Sequence, residues 1–163
     1  ADPVNPAEVR GLSFVPAGTL APDVEVLVGL EIGGAYLRFD LATKKVTLQG
    51  TLNGDEEVGL AWPVVLGFLR LTTRSGILPR PLTPRQALDS IDEWIAHPQV
   101  VMLDPGAGHW AILSKFIDSS GAAGNLTTDA HLAALAVEYG ATLYSTDTDF
   151  TRFAALKFRN PLD

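Results

Sequence analysis

Cysteine is missing altogether from these 163 residues. Its absence excludes a disulfide scaffold, a thiolate metal site and a thiol nucleophile together. Histidine is scarce, at positions 97, 109 and 131 only, which argues against a His-rich metal cage. No apolar run approaches the ~18 residues of a membrane span. Residues 1–10 lack the basic-then-apolar pattern of a secretory signal. The expectation is a soluble, cytoplasmic protein. Positive charge is also short, with 12 Lys and Arg against 19 Asp and Glu for a net charge of −7. Such a chain does not hold nucleic acid by bulk electrostatics. An RNA or DNA substrate would need a divalent metal, bound by the acids themselves, to offset the repulsion. Apolar residues are plentiful at 47%, enough for a core and too many for a disordered chain. The length suits one domain, or one domain with an appendage.

The chain changes character near residue 50. Before it, prolines and glycines interrupt any helical period, and residues 24–32, 36–40 and 45–49 read as strands. Gly33-Gly34 is a hairpin signal between the first two, and a turn at 41–44 would let the third pair back. Residues 1–50 are therefore expected to form a β-rich segment. From residue 51 onward strands and helices alternate. Residues 58–61 read as a short buried strand, and Pro63 suits the first turn of a helix running to about Thr73. Thr83 and Gln86 have capping-box spacing ahead of a helix that stops before Pro98. A strand at 100–103, a helix containing Trp110 and Phe116, and a helix capped by Thr127 or Thr128 follow. Gly140 terminates that last helix. A strand at 141–145, a helical turn at 150–155 and a short strand to Arg159 complete the pattern. Residues 51–163 thus read as an α/β unit with a mostly parallel sheet covered on both faces. Trp94 and Trp110 fall on apolar helix faces and are expected in the core.

Parallel sheets place their sites beyond the carboxyl ends of the strands. Asp147 and Asp149 directly follow the strand at 141–145, and Asp129 lies in the first turn of the helix before it. Each residue also has a bland role: Asp129 suits a helix N-terminus, and Asp-x-Asp suits a turn. Together at one sheet edge, carboxylates without sulfur ligands match a hard cation such as Mg²⁺ or Mn²⁺. His131, two residues past Asp129, points elsewhere and reads as packing or a cap. Arg70, Arg74, Arg80 and Arg85 cluster in sequence, either as a solvated face or as a basic rim for RNA.

A more specific signal lies in the motifs. Gly124-Asn125-Leu126-Thr127-Thr128-Asp129-Ala130-His131, Gly140-Ala141-Thr142-Leu143, Ser145-Thr146-Asp147-Thr148-Asp149-Phe150 and Asn160-Pro161-Leu162 resemble a PIN-domain toxin of the VapC type, in its mycobacterial-like branch. Val58-Gly59-Leu60-Ala61-Trp62, Gly67-Phe68-Leu69-Arg70 and Pro79-Arg80-Pro81 resemble that branch in the same order. The resemblance covers about residues 51–163 and leaves residues 1–50 unmatched. It implies a three-layer α/β/α fold and a Mg²⁺- or Mn²⁺-dependent endoribonuclease. It also implies inhibition by a VapB-type antitoxin, and a homodimer. In it Asp129 and Asp147 match the third and fourth acidic motifs, with Asp149 as a helper. The family's first acid, an Asp ending the first strand, has no clear counterpart, and Asp40 is the stand-in. Gly67 stands near the family's second acid. Without the first acid the alternative is a PIN-like domain that works by binding. Without the family's first strand the middle of the sheet would be an open edge.

Overall fold

A computed structural model of the chain describes residues 10–12, 36–40, 45–49, 57–75, 80–121, 124–145 and 147–160. In chain order its elements are β1 (Arg10–Leu12), β2 (Tyr36–Asp40), β3 (Lys45–Gln49), β4 (Val58–Ala61), α1 (Trp62–Thr73), α2 (Pro84–Ile95), β5 (Val100–Leu103), α3 (His109–Ser120), α4 (Thr127–Glu138), β6 (Thr142–Tyr144) and β7 (Lys157–Arg159). Short 3₁₀ turns occupy Gly124–Leu126 and Thr148–Arg152.

Five strands form one parallel sheet in the order β5-β4-β1-β6-β7, and β2 pairs with β3 in a separate two-stranded ladder. The middle strand is β1. Arg10 is level with Val58 of β4 on one side and with Thr142 of β6 on the other. The strand that fills the expected gap therefore comes from Arg10–Leu12. The β2–β3 ladder is antiparallel, Tyr36 opposite Gln49 and Asp40 opposite Lys45, the pairing expected of strands only four residues apart. The strand expected at 24–32 and the Gly33-Gly34 turn lie outside the described residues.

Right-handed crossovers decide where the helices go. From β4 the chain passes through α1 and α2 to β5 in one direction across the sheet. From β5 it returns through α3 and α4 to β6 in the other. The same handedness therefore puts the two helix pairs on opposite faces, giving the three layers. Accordingly α1 packs on α2 and β4, whereas α4 packs on α3, β1 and β6. The core runs through both faces, with Val58, Leu60, Phe68, Ala87, Ala130, Ala133, Leu143 and Phe150 all essentially inaccessible. Phe68 of α1 meets Trp94 of α2 edge to face, ring centroids 4.6 Å apart.

The helix ends follow their local chemistry. Thr83 is the N-cap of α2: its hydroxyl accepts from the Gln86 N–H, and the Gln86 side chain accepts from the Thr83 N–H at 3.0 Å. Replacing Thr83 by Ala should cost about 1 kcal/mol, read as a lower midpoint in thermal unfolding. Gly140, at φ 66°, closes α4. Its N–H bonds to Val137 O and the Ala141 N–H to Ala136 O, the pair of contacts of a Schellman end. The start of α4 differs from expectation. Its N-cap is Leu126, with no side-chain capping bond, because the 3₁₀ turn runs directly into the helix. The Thr127 hydroxyl instead donates backward to Gly124 O at 2.8 Å. Trp110 also departs from its expected place and is 73% exposed. His109 takes the first buried position of α3, and the next residue, turned by about 100° around the helix, falls off that face.

Candidate metal-binding edge

The carboxyl ends of β1, β4 and β6 lie side by side, and the chain passes from β1 to β4 on one side of the sheet but from β6 to β7 on the other. This arrangement creates the crevice where open α/β sheets take ligands. Because α4 precedes a parallel strand, it runs opposite to β6, and its first turn reaches this same edge with Asp129. From β6 the chain continues through buried Ser145 to Asp147. The sequence alone predicts that these elements converge, and the structure places them so.

Asp129 is half-buried and makes no hydrogen bond or ion pair with any described residue. Its carboxyl is pushed up from 3.8 to about 6, first by burial and then by the negative charges of Asp147 and Asp149. The three acids are thus close enough to repel one another. Asp147 has a second task, as its Oδ1 accepts the Asp149 N–H at 2.9 Å and caps the 3₁₀ turn. Its own N–H is held by Ser145 Oγ, also at 2.9 Å. Asp149 Oδ1 accepts from Arg152 Nε at 2.9 Å. Phe150, fully buried between these polar neighbours, anchors the turn against Phe153 and Phe158.

An oxygen-only donor set under mutual repulsion suits a hard divalent cation, which would relieve the charge that raises Asp129. Yet among the described residues no three of His, Cys, Asp or Glu gather tightly enough to hold an ion. Asp40 ends β2 opposite Lys45, in the two-stranded ladder and outside the parallel sheet. No acid follows β1 directly, since the sequence continues Ser13-Phe14-Val15. Nor does α1, which contains Gly67, supply a carboxylate.

Arg85 donates through Nε to Asp89 at 2.8 Å and lies 3.6 Å from Asp92. Arg70 and Arg74 lie at the end of α1. Because α1 starts at the carboxyl edge of β4 with Trp62, the helical rise carries Arg70 ~12 Å and Arg74 ~18 Å from that edge.

A second polar cluster has no local sequence signature. His109 Nε2 and His131 Nδ1 are 2.9 Å apart across the α3–α4 interface. His109 Nδ1 lies 3.3 Å from Glu138 Oε2, at ion-pair distance without hydrogen-bond alignment. Glu138 in turn accepts the N–H groups of Gly106 and Gly108, each at 3.1 Å. Burial, and then the neighbouring His109, hold the His131 pKa below its usual value, which keeps the ring neutral. His131 therefore does pack within the fold, but as one half of a histidine pair.

Among the described residues no helix is long and apolar enough to cross a membrane. The family model described as "PIN domain" matches residues 25–156. Ribonuclease VapC37 of Mycobacterium tuberculosis is 42% identical over 114 residues, covering 70% of this chain and 79% of that protein. Ribonuclease VapC43 of the same species is 38% identical over 144 residues, covering 88% of this chain and 96% of that protein. The solved structure described as VapBC2 from Rickettsia felis bound to a DNA fragment from their promoter superposes with a TM-score of 0.49 at 18% identity. That superposition covers 64% of this chain and 74% of the other. With the family model spanning most of the sequence, and mycobacterial relatives matching over two thirds of it or more, the chain belongs to the PIN-domain family and is similar to its VapC ribonucleases.

Proposed function

We propose that this chain is a metal-dependent endoribonuclease, the toxin of a VapBC-type pair. Its partners would be RNA, a VapB-type antitoxin and a second copy of itself. The observation that carries the reading is Asp129, a half-buried carboxylate without a hydrogen-bond partner among the described residues, raised by burial and two further acids at the carboxyl edge of a parallel sheet. Groups tuned in this way concentrate at functional sites. The names of the VapC relatives support the choice of RNA.

Asp129 and Asp147 would hold Mg²⁺ or Mn²⁺, with Asp40 the further candidate ligand. A bound ion supplies water activation and charge neutralisation at a phosphodiester. The protein's own groups do the rest. Asp147 sets the shape of the turn by capping it. Asp149, steadied by Arg152, adds negative charge beside the ligands and draws the cation in. The N-terminal turn of α4 contributes its partial positive charge, which tempers repulsion between an acidic protein and a polyanion.

A second reading, a PIN-like domain that works by binding, is favoured by one observation: no acid directly follows β1 or lies on α1. Titration of Mn²⁺ into the wild type at two pH values, with RNA cleavage on the same samples, separates the two. Saturable binding is expected above pH 6. Below it, affinity should fall up to about tenfold per pH unit as protons compete for Asp129, and cleavage should follow. A folded protein that takes up no Mn²⁺ at either pH would sink the nuclease reading in favour of the binding domain. Asp40→Ala, with unchanged affinity, would remove Asp40 from the ligand set.

A further inference from the structure

Helix α4 carries Asp129 but has few directional anchors. Ala130, Leu132, Ala133, Ala134, Leu135 and Ala136 are all buried. Apolar contact of this kind is non-directional, and small alanine side chains offer little relief against sliding or rotation. Among the described residues Asp129 has no hydrogen-bond partner, so the pose of the helix decides where its carboxylate sits.

The directional contacts of α4 with the segment after β5 gather around His109. His109 is only 6% exposed. It meets His131 at 2.9 Å through one ring nitrogen and faces Glu138 at 3.3 Å through the other. These two points are seven residues apart on α4, or about 10 Å along its axis. Glu138 is itself seated on the Gly106 and Gly108 N–H groups, and the neighbouring Tyr139 hydroxyl donates to Asp104 O at 3.0 Å. The cradle is close-fitting, since a Cβ on Gly106 would come within 2.5 Å of Glu138 Oε1. Two fixed points on one helix fix both its height and its rotation.

We infer that His109 is a positioning residue: by gripping His131 and Glu138 it sets the axial position and rotation of α4, and thereby the placement of Asp129 at the sheet edge. The inference rests on the reading of Asp129 as a metal ligand. The tautomers of the two rings are linked, because His109 Nε2 and His131 Nδ1 share one proton across 2.9 Å. If His109 presents Nδ1–H to the Glu138 carboxylate, its Nε2 is an acceptor, and His131 must donate from Nδ1. The chain of groups then runs carboxylate, imidazole, imidazole, with one proton at each step.

The test compares His109→Phe, which keeps the ring volume and loses both polar contacts, with His109→Gln, which keeps one donor and one acceptor. Outer partners of metal ligands typically contribute 10–100-fold in affinity or activity. Mn²⁺ affinity should therefore fall about 10–100-fold in His109→Phe and recover most of that loss in His109→Gln. The loss in cleavage should appear in kcat at saturating Mn²⁺, with KM for RNA little changed. In metal-free protein, hydrogen exchange of the α4 amides should be faster in His109→Phe than in His109→Gln. Wild-type affinity in His109→Phe, or equal losses in the two variants, would overturn the inference. Should His109→Phe not fold, His131→Phe cuts the same contact from a half-buried position and takes its place. If the wild type neither binds Mn²⁺ nor cleaves RNA, the nuclease reading falls alone. The exchange comparison in metal-free protein then still decides whether His109 grips α4.

Discussion

Asp129→Asn should leave a protein more stable and inactive. Its Mn²⁺ affinity should drop by more than about a hundredfold, because losing a direct ligand exceeds the 10–100-fold typical of an outer partner. Cleavage should fall with it. The stability change has the opposite sign. The Asp129 carboxyl titrates at about 6 in the fold against 3.8 without it, so the folded state keeps its proton where the unfolded chain has lost one. In the wild type without metal, this group's contribution to stability is thus full below about 3.8, falls as pH rises through that window, and is lost above about 6. The full shift corresponds to about 3 kcal/mol, and solvent around this half-exposed group reduces it to about 1 kcal/mol. Asparagine carries no such penalty. Denaturant melts of the metal-free proteins at pH 4 and pH 7.5 check this: the gain should be present at 7.5 and absent at 4. A mutant no more stable at 7.5 than at 4, relative to wild type, would show that Asp129 is not held under repulsion.

Phe150→Ala should be the most destabilising single change near the site. The ring is fully buried and packs with Phe153 and Phe158, centroids 6.2 and 6.0 Å away. Phe153 reaches on to Phe116 of α3 at 5.1 Å. Truncating such a ring costs about 3–5 kcal/mol, or roughly 10 °C in thermal midpoint for a chain of this size. The effect should also reach the metal. A five-residue 3₁₀ turn has little stability of its own, and Asp147 and Asp149 flank this anchor. Mn²⁺ affinity should fall even under conditions where the variant is fully folded. Phe150→Leu, which retains much of the volume, should lose less of both. Calorimetric melts and Mn²⁺ titration on the two variants check the coupling. Lost stability with intact affinity would mean that the turn holds its acids without the ring.

Much of this fold is written in short-range chemistry and could be read without coordinates. Thr83 and Gln86 mark a helix start, Gly140 a helix end, and the apolar runs at 58–61 and 100–103 buried strands. Each of these depends on neighbours within a few residues. The convergence of Asp129 and Asp147 was equally legible, since an α-then-β order fixes which edge both must reach. By contrast, Arg10-Gly11-Leu12 carries no pattern that distinguishes it from the proline- and glycine-rich stretch around it. It is a strand because β4 and β6 offer it hydrogen bonds on both sides. The His109–His131 contact spans 22 residues and arises only when α3 folds back on α4. Trp110 was misplaced because a helical period identifies a face without saying where that face ends.

The position of β1 has a consequence in time. It precedes every other strand of its sheet in the sequence and lies in the middle of it, with Thr142 beside Arg10. A ribosome adding about 5–20 residues per second delivers that partner only ~7–26 seconds after Arg10. Until β6 emerges, one flank of β1 has no mate and α4 has no complete floor to settle on. Asp129 and Asp147 are therefore brought together only once β6 has emerged. If these two acids hold the metal, as proposed, a nuclease built on this plan stays harmless to the transcript being translated until β6 and the turn after it have left the ribosome.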